Sequence, residues 1–271
     1  MIPRMSEPKE HSLHRRLSEL IRRGPEERPS PRPGPGASPL PAGVEAENER
    51  GPYYLIERPL ESLLPEEERA TLRSSPGPWK VEGGAEGEMT VRDPVFFDLE
   101  TTGFSSCPLF LAATLRLGEG DEAIRQVFAR DYAEEAAVVA AVVEELGSAG
   151  TIVSFNGKSY DIPFLRQRAA VHHIPFPAVD EHVDLLHVCR RAWKGRFPDF
   201  RLQTLERLFT PDERSGDIPG AEIPELYHRF VRQGYDPRLN NVFRHNRRDV
   251  VTLVRLLLLL LGEDSGRREI R

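Results

Sequence analysis

The pattern of apolar and polar positions changes character along the chain. Residues 8–23 place Leu13, Leu17, Leu20 and Ile21 at i, i+4, i+7 and i+8, with Arg15, Arg16, Arg22 and Arg23 on other faces. That spacing predicts a short amphipathic helix with a basic side. It reads either as an arm that docks on a protein or nucleic acid, or as a marginal helix, because an isolated helix of this length is weak. Residues 24–43 hold seven prolines and four glycines and bury nothing, so an extended or disordered linker is expected. Residues 44–93 are mixed. Tyr53 to Ile56 reads as a strand, Leu60 to Leu64 as a turn of helix, and Gly83, Gly84 and Gly87 break the pattern. This stretch is expected to be a lead-in segment leaning on the main domain.

From Val95 onward the periodicity is strong. Val95-Phe96-Phe97 is a short apolar run that ends in Asp98, as in a buried strand whose C-terminal end carries a site. Leu109 to Leu117 and Ile124 to Ala129 read as the next two strands, and Ala133 to Leu146 as a helix. Thr151 to Phe155 is a fourth strand, and Asp161 opens a helix to about Val171. Val183 to Leu186 reads as a fifth strand leading into a helix through Trp193. Leu202 to Phe209, Ile223 to Val231 and Arg238 to Leu261 are further helices, the last with Pro237 near its first position. Three strands, then helix, strand, helix, strand and a helical tail make an α/β order. The expected domains are 1–43, 44–93, 94–262 and a charged tail at 263–271.

Composition narrows the class. The chain has 271 residues, with 37 Lys+Arg against 43 Asp+Glu, a formal charge of -6 and a pI of about 5.8. A wholly basic nucleic-acid binder is excluded, whereas an enzyme with a local basic groove is not. Cys107 and Cys189 make neither a disulfide framework nor a four-thiolate zinc site, and are expected to be free thiols in a cytoplasmic protein. The first thirty residues carry charges throughout and no apolar signal core. The run Leu256 to Leu261 is too short to span a bilayer, so no membrane partner is expected.

Four pieces carry candidate chemistry. In Phe97-Asp98-Leu99-Glu100-Thr101-Thr102-Gly103, period two puts Asp98 and Glu100 on one strand face and Phe97 and Leu99 on the other. In Phe155-Asn156-Gly157-Lys158-Ser159-Tyr160-Asp161, a strand ends, the chain turns, and Asp161 stands at a helix start as either a functional carboxylate or an N-cap. In His245-Asn246-Arg247-Arg248-Asp249, the imidazole and the carboxylate share a helix face at i, i+4. Arg190, Arg191, Lys194, Arg196 and Arg201 interleave with Trp193, Phe197 and Phe200, either a nucleic-acid surface or a charged helix over core aromatics. Carboxylates gathered from separate elements repel one another unless cations join them. Hard oxygen donors suit two Mg²⁺ or Mn²⁺ ions, which together serve phosphodiester displacement.

Asp98-x-Glu100, Asn156-x4-Asp161 and His245-x3-Asp249, in this order, resemble the three motifs of DEDD-type 3′–5′ exonucleases. Phe96 to Gly103, Phe155 to Leu165, Leu202 to Leu208, Asp217-Ile218-Pro219-Gly220 with Pro224 and Tyr227, and His245-Asn246 with Asp249 resemble the YprB-type ribonuclease H-like domain. The resemblance covers about residues 94–262. It implies a ribonuclease H-like fold, with a mixed five-stranded sheet whose second strand is antiparallel, flanked by helices. It implies that Asp98, Glu100, Asp161 and Asp249 bind the two metal ions, with Asp98 bridging them, and that His245 orients or deprotonates the attacking water. Thr101, Thr102 and Gly103 match the stretch that holds the terminal nucleotide, and Asn156 a residue near the substrate backbone. One departure stands out: the tyrosine subclass has three residues between its Tyr and the last Asp and the histidine subclass four between its His and that Asp, whereas here a His occupies the tyrosine spacing, with three residues between His245 and Asp249.

The function this implies is metal-dependent 3′–5′ exonucleolytic hydrolysis of single-stranded DNA or RNA, with Arg201 among the substrate contacts. Two other classes remain: a nucleic-acid-binding module with little turnover, and a structure-selective endonuclease using the same residues. The N-terminal arm is a candidate site for a protein partner.

Overall fold

The computed structural model describes residues 40–74, 77–82, 88–103, 107–117, 122–179, 181–209 and 218–264. The helix expected at 8–23, most of the Pro/Gly-rich linker, Asp217 and the charged tail from residue 265 on lie outside the described residues. The chain divides into two units, Met1–Arg32 and Pro33–Arg271, and the described residues all belong to the second.

Nine strands are present among the described residues. Seven form one mixed sheet in the order β1-β2-β7-β6-β5-β8-β9. They are β1 (Val44–Asn48), β2 (Gly51–Pro59), β5 (Pro94–Thr101), β6 (Leu109–Arg116), β7 (Ala123–Phe128), β8 (Thr151–Ser154) and β9 (His182–Asp184). β3 (Trp79–Glu82) and β4 (Glu88–Val91) pair as a separate antiparallel ribbon. β5 pairs antiparallel with β6 and parallel with β8, and β9 pairs parallel with β8. The five strands β7-β6-β5-β8-β9 are thus the expected mixed sheet with an antiparallel second strand. The difference lies at one edge, where β2 pairs with β7 and β1 with β2, making seven strands. Part of the expected lead-in segment is therefore continuous with the main sheet. β1 was illegible because Val44, Glu45, Ala46 and Glu47 are edge residues with little burial to shape their pattern.

Helices cover both faces. They are α1 (Glu66–Ser74), α2 (Glu135–Gly147), α3 (Asp161–Val171), α4 (Leu185–Ala192), α5 (Leu202–Phe209), α6 (Ile223–Gln233) and α7 (Leu239–Asp264). The alternation along β5 sorts its residues between two apolar clusters. Val95, Phe97 and Leu99 pack with Val138 and Val142 of α2 and Leu165 of α3. Phe96 packs on the other side with Val188 of α4, Leu205 of α5 and Val250 and Leu257 of α7. Leu256, Leu257 and Leu260 are buried here, which accounts for the apolar run in α7. Among the described residues no helix is long and apolar enough to cross a membrane.

Two boundaries differ from the sequence pattern for the same reason: an aspartate takes a capping position. β9 stops at Asp184, earlier than the expected Leu186, because Asp184 Oδ1 accepts the Leu186 N–H at 3.1 Å and starts α4. α7 starts at Leu239, where Asp236 accepts the Arg238 N–H through its side chain (2.8 Å) and the Leu239 N–H through its carbonyl (3.1 Å).

Candidate active site

The site is assembled across the middle of the sheet. Asp98 on β5 lies opposite Ala113 on β6, which lies opposite Gln126 on β7. Directly opposed residues share a face, so all three point toward α7. Ala113 is small, and the space above it is spanned by Asn246 of α7, which is fully buried. The Asn246 amide donates to Asp98 Oδ2 at 2.8 Å and to the Asp98 carbonyl at 3.1 Å. Its side-chain oxygen accepts from Gln126 Nε2 at 2.9 Å, and Gln126 Nε2 also donates to the Phe243 carbonyl at 2.8 Å. Asp98 is thereby tied to a helix whose angle over the sheet is itself held from β7.

Beyond Asp98 the strand loses its regular register. The pairing with β6 shifts between Glu100 and Thr101. A bulge bends a strand and re-aims its side chains. The Thr102 N–H and hydroxyl both donate to the Pro108 carbonyl, at 3.0 and 3.2 Å, and the Thr101 hydroxyl donates to the Gly103 carbonyl at 2.8 Å. Gly103 has φ 151, and a Cβ there would meet Cys107 Sγ at 2.9 Å. A side chain at position 103 is strained by that backbone conformation and would displace Cys107 Sγ.

Asp161 is positioned from β8 and β9. The turn after β8 has Asn156 at φ 63. Buried Asp184 clamps this turn: Oδ1 accepts the Asn156 N–H at 2.7 Å, and Oδ2 accepts the Lys158 N–H at 3.1 Å. Gly157 crosses so closely over Ser154 that a Cβ would stand 2.3 Å from its Oγ. Ser154 Oγ in turn lies 2.7 Å from His182 Nε2. Asp161 is the first residue of α3, after Tyr160 at the cap position, and its carboxylate meets its own backbone N–H. On α7, one turn apart, His245 Nε2 lies 3.5 Å from Asp249 Oδ2, and both residues are buried.

Three other carboxylates lie near enough to Asp98 for their charge to act on it. Burial first, and then the charges of Asp249, Glu100 and Asp161, push the Asp98 carboxyl well above the ordinary range, while the Asn246 hydrogen bond pulls the other way. Burial also pushes Asp161 up, to about 7, opposed by its own backbone N–H and assisted by the charge of Asp184. His182 is pushed down to about 4 by burial. It is thus neutral at pH 7 beside Ser154.

A divalent cation fits this donor set. Every candidate ligand is a carboxylate oxygen, and the repulsion that raises Asp98 is what a hard cation relieves. Among the described residues no three of these side chains stand at the spacing of an already formed ion site.

A model of the RNase H superfamily matches residues 95–261, more than half of the chain. The chain belongs to the RNase H superfamily. A curated relative, the uncharacterized protein YprB of Bacillus subtilis (strain 168), is 31% identical over 168 residues, covering 60% of this chain. The match spans only 40% of the relative's own length. Among solved structures, the family B DNA polymerase of the archaeon Pyrobaculum calidifontis aligns at a TM-score of 0.47 and 18% identity, over 79% of this chain and 32% of the polymerase. An apo exonuclease I aligns at a TM-score of 0.35 and 19% identity, over 59% of this chain and 46% of its own.

This RNase H superfamily chain also departs from its own sequence signals. Arg201 is exposed just before α5; its N–H donates to Asp199 at 2.9 Å, and among the described residues it makes no hydrogen bond or ion pair with the four carboxylates. The aromatics interleaved with the basic cluster turn inward. Trp193 is fully buried and packs with Phe197 and Phe209, and Phe197 with Phe200. Arg190, Arg191, Lys194 and Arg196 remain outside as an exposed basic surface. Sequence reasoning missed the roles of Asn246, Gln126 and Asp184. Asn246 adjoins His245 in the motif, and that adjacency was the available signal. Gln126 is a buried polar residue among the buried apolar residues Ile124, Val127 and Phe128 of its strand.

Proposed function

We propose that this chain hydrolyses phosphodiester bonds of single-stranded DNA or RNA from the 3′ end. The observation that carries the reading is the convergence on Asp98: three other carboxylates, from the same strand and from two helices, act on it across buried space. A purely structural core gathers opposite charges, not like ones. Two Mg²⁺ or Mn²⁺ ions held by Asp98, Glu100, Asp161 and Asp249 would supply Lewis acidity and lower the pKa of bound water.

The chain's own residues do the rest. Asn246 holds Asp98 in one orientation through Oδ2. Asp184 holds the turn that delivers Asp161. His245, one helical turn from Asp249, accepts the proton of the attacking water. Thr101, Thr102, Gly103 and Asn156 border the terminal nucleotide. Arg201 and the exposed arginines near it form a basic approach to the cleft for the strand. A protein partner engages the N-terminal arm.

The test is cleavage of end-labelled linear strands and of circular single strands, as DNA and as RNA, with divalent cation or with chelator. Shortening from the 3′ end in a cation-dependent manner is the expected result. Cutting of circles would make the chain an endonuclease. Binding without cleavage on any substrate would make it a recognition module and overturn the proposal.

A further inference from the structure

The described arginines of this acidic chain are mostly paired. Arg125 meets Glu57, Arg130 meets Glu45 and Glu134, Arg248 meets Glu206 and Arg255 meets Glu68. Three that meet no carboxylate among the described residues lie on neighbouring elements. Arg58 donates only to the carbonyls of Glu57 and Ala42, at 2.7 and 3.0 Å. Arg244 donates to the side-chain oxygen of Asn241 at 2.9 Å. Among the described residues, Arg247 has no carboxylate partner, although it is half-buried.

The sheet register brings these three together. Gln126 of β7 is bonded to Phe243 and Asn246, which sets this turn of α7 over β7. The next strand outward is β2, where Ile56 opposes Gln126. Arg58 lies two residues further on and therefore on the same face as Ile56. Arg244 and Arg247 are i, i+3 neighbours on α7. On the helix, Arg247 and the pair His245 and Asp249 project to opposite flanks, with Asn246 pointing at the sheet between them.

Three cations on neighbouring elements, none with a carboxylate partner among the described residues, repel one another. A multivalent anion relieves that repulsion. Guanidinium forks match phosphate oxygens in pairs, and the patch flanks the turn of α7 from which Asn246 reaches Asp98.

We infer that Arg58, Arg244 and Arg247 form a binding site for the phosphodiester backbone of a single nucleic-acid strand, on the flank of α7 opposite His245 and Asp249. The assignment rests on the proposed nuclease reading for its choice of polyanion. A helix is about 10–12 Å across, so the site lies a few nucleotides from the end held at Asp98. The phosphates there position the strand and carry no base preference.

Labelled oligo(dT) and oligo(U) are titrated onto the full chain in chelator, where no cleavage occurs, over a series of salt concentrations. For a single strand, each neutralised phosphate contributes about 0.7 to the slope of log affinity against log salt. Arg58→Gln/Arg244→Gln/Arg247→Gln should lower that slope by about 2 and weaken binding roughly tenfold or more at low salt. Arg244→Gln alone, at an exposed position, should lower it by about 0.7. Removing like charges relieves repulsion, so the melting temperature without nucleic acid should hold or rise. Equal slopes for wild type and both variants would overturn the site. The two proposals fail separately: no cleavage with a reduced slope sinks the nuclease and keeps the site, whereas intact cleavage with an unchanged slope does the reverse.

Discussion

The two faces of the sheet bury carboxylates in opposite ways. Under α2, Glu135 accepts from Arg168 Nε and Nη2 at 2.6 Å each, from the Leu109 N–H at 2.9 Å, and lies 3.0 Å from His172 Nε2. Burial alone would raise its carboxyl, yet the hydrogen bonds from Arg168, Leu109 and His172 outweigh it and hold the group below the ordinary range. Under α7, Asp98 is opposed by Asp249, Glu100 and Asp161, and its carboxyl is driven up. One side chain type, buried against one sheet, is satisfied on one face and frustrated on the other. The satisfied carboxylate ties α2 and α3 to the start of β6. The frustrated ones have no structural use that an apolar residue would not serve better, and it is on them that the proposed cation site rests.

The sharpest break of this comparison is Asp98→Asn. It keeps an oxygen to accept from Asn246 but removes one charge from the cluster. Cleavage should fall at least ~10³-fold, because metal assistance supplies several kcal/mol, while the melting temperature in chelator holds or rises. Activity within a few-fold of wild type would return Asp98 to the structural side. His245→Ala should lose roughly 10²–10⁴-fold in rate, the usual weight of a general base, with divalent-cation binding retained by calorimetry. An unchanged rate would leave His245 as a packing residue at the helix entry.

On the other face, the effect should appear in stability. Arg168→Leu strands Glu135 without its principal partner, and urea denaturation should show a loss of about 3–5 kcal/mol. A loss below about 1 kcal/mol would mean that the two faces differ less than their geometry indicates.

A further effect sharpens the contrast through pH. Folded Asp161 titrates at about 7, against about 3.9 in an unfolded chain. Between these values the folded state holds a proton that the unfolded state has lost, so stability declines as pH rises from about 4 to about 7. In chelator, the melting temperature of Asp161→Asn relative to wild type should be flat near pH 4, climb toward pH 7 and then level off. A difference constant across that window would mean that burial and the charge of Asp184 do not hold a proton on folded Asp161.

Much of this was legible without coordinates because it is local. Period two put Asp98 and Glu100 on one face of β5, and i, i+4 spacing put His245 beside Asp249; both relations hold in the fold. The apolar run in α7 marked a buried helix, and Leu256, Leu257 and Leu260 are buried. The interleaved aromatics of residues 190–201 were ambiguous. One face of a short helix looks the same whether it meets solvent or Phe209, and only the packing turned Trp193 inward.

By itself, then, the sequence determined which side chains share an element face, since that follows from backbone geometry within a few residues. Tertiary structure alone decided which faces meet. Asn246 reaches Asp98 across 148 residues of chain and Gln126 across 120, and no local pattern encodes such pairs. The same holds for Asp184 beneath the turn at Asn156, and for Arg58 on a strand added at the sheet edge. Hydrogen bonds and charges act through space, and distance through space is set only when the sheet closes and α7 lies down across it.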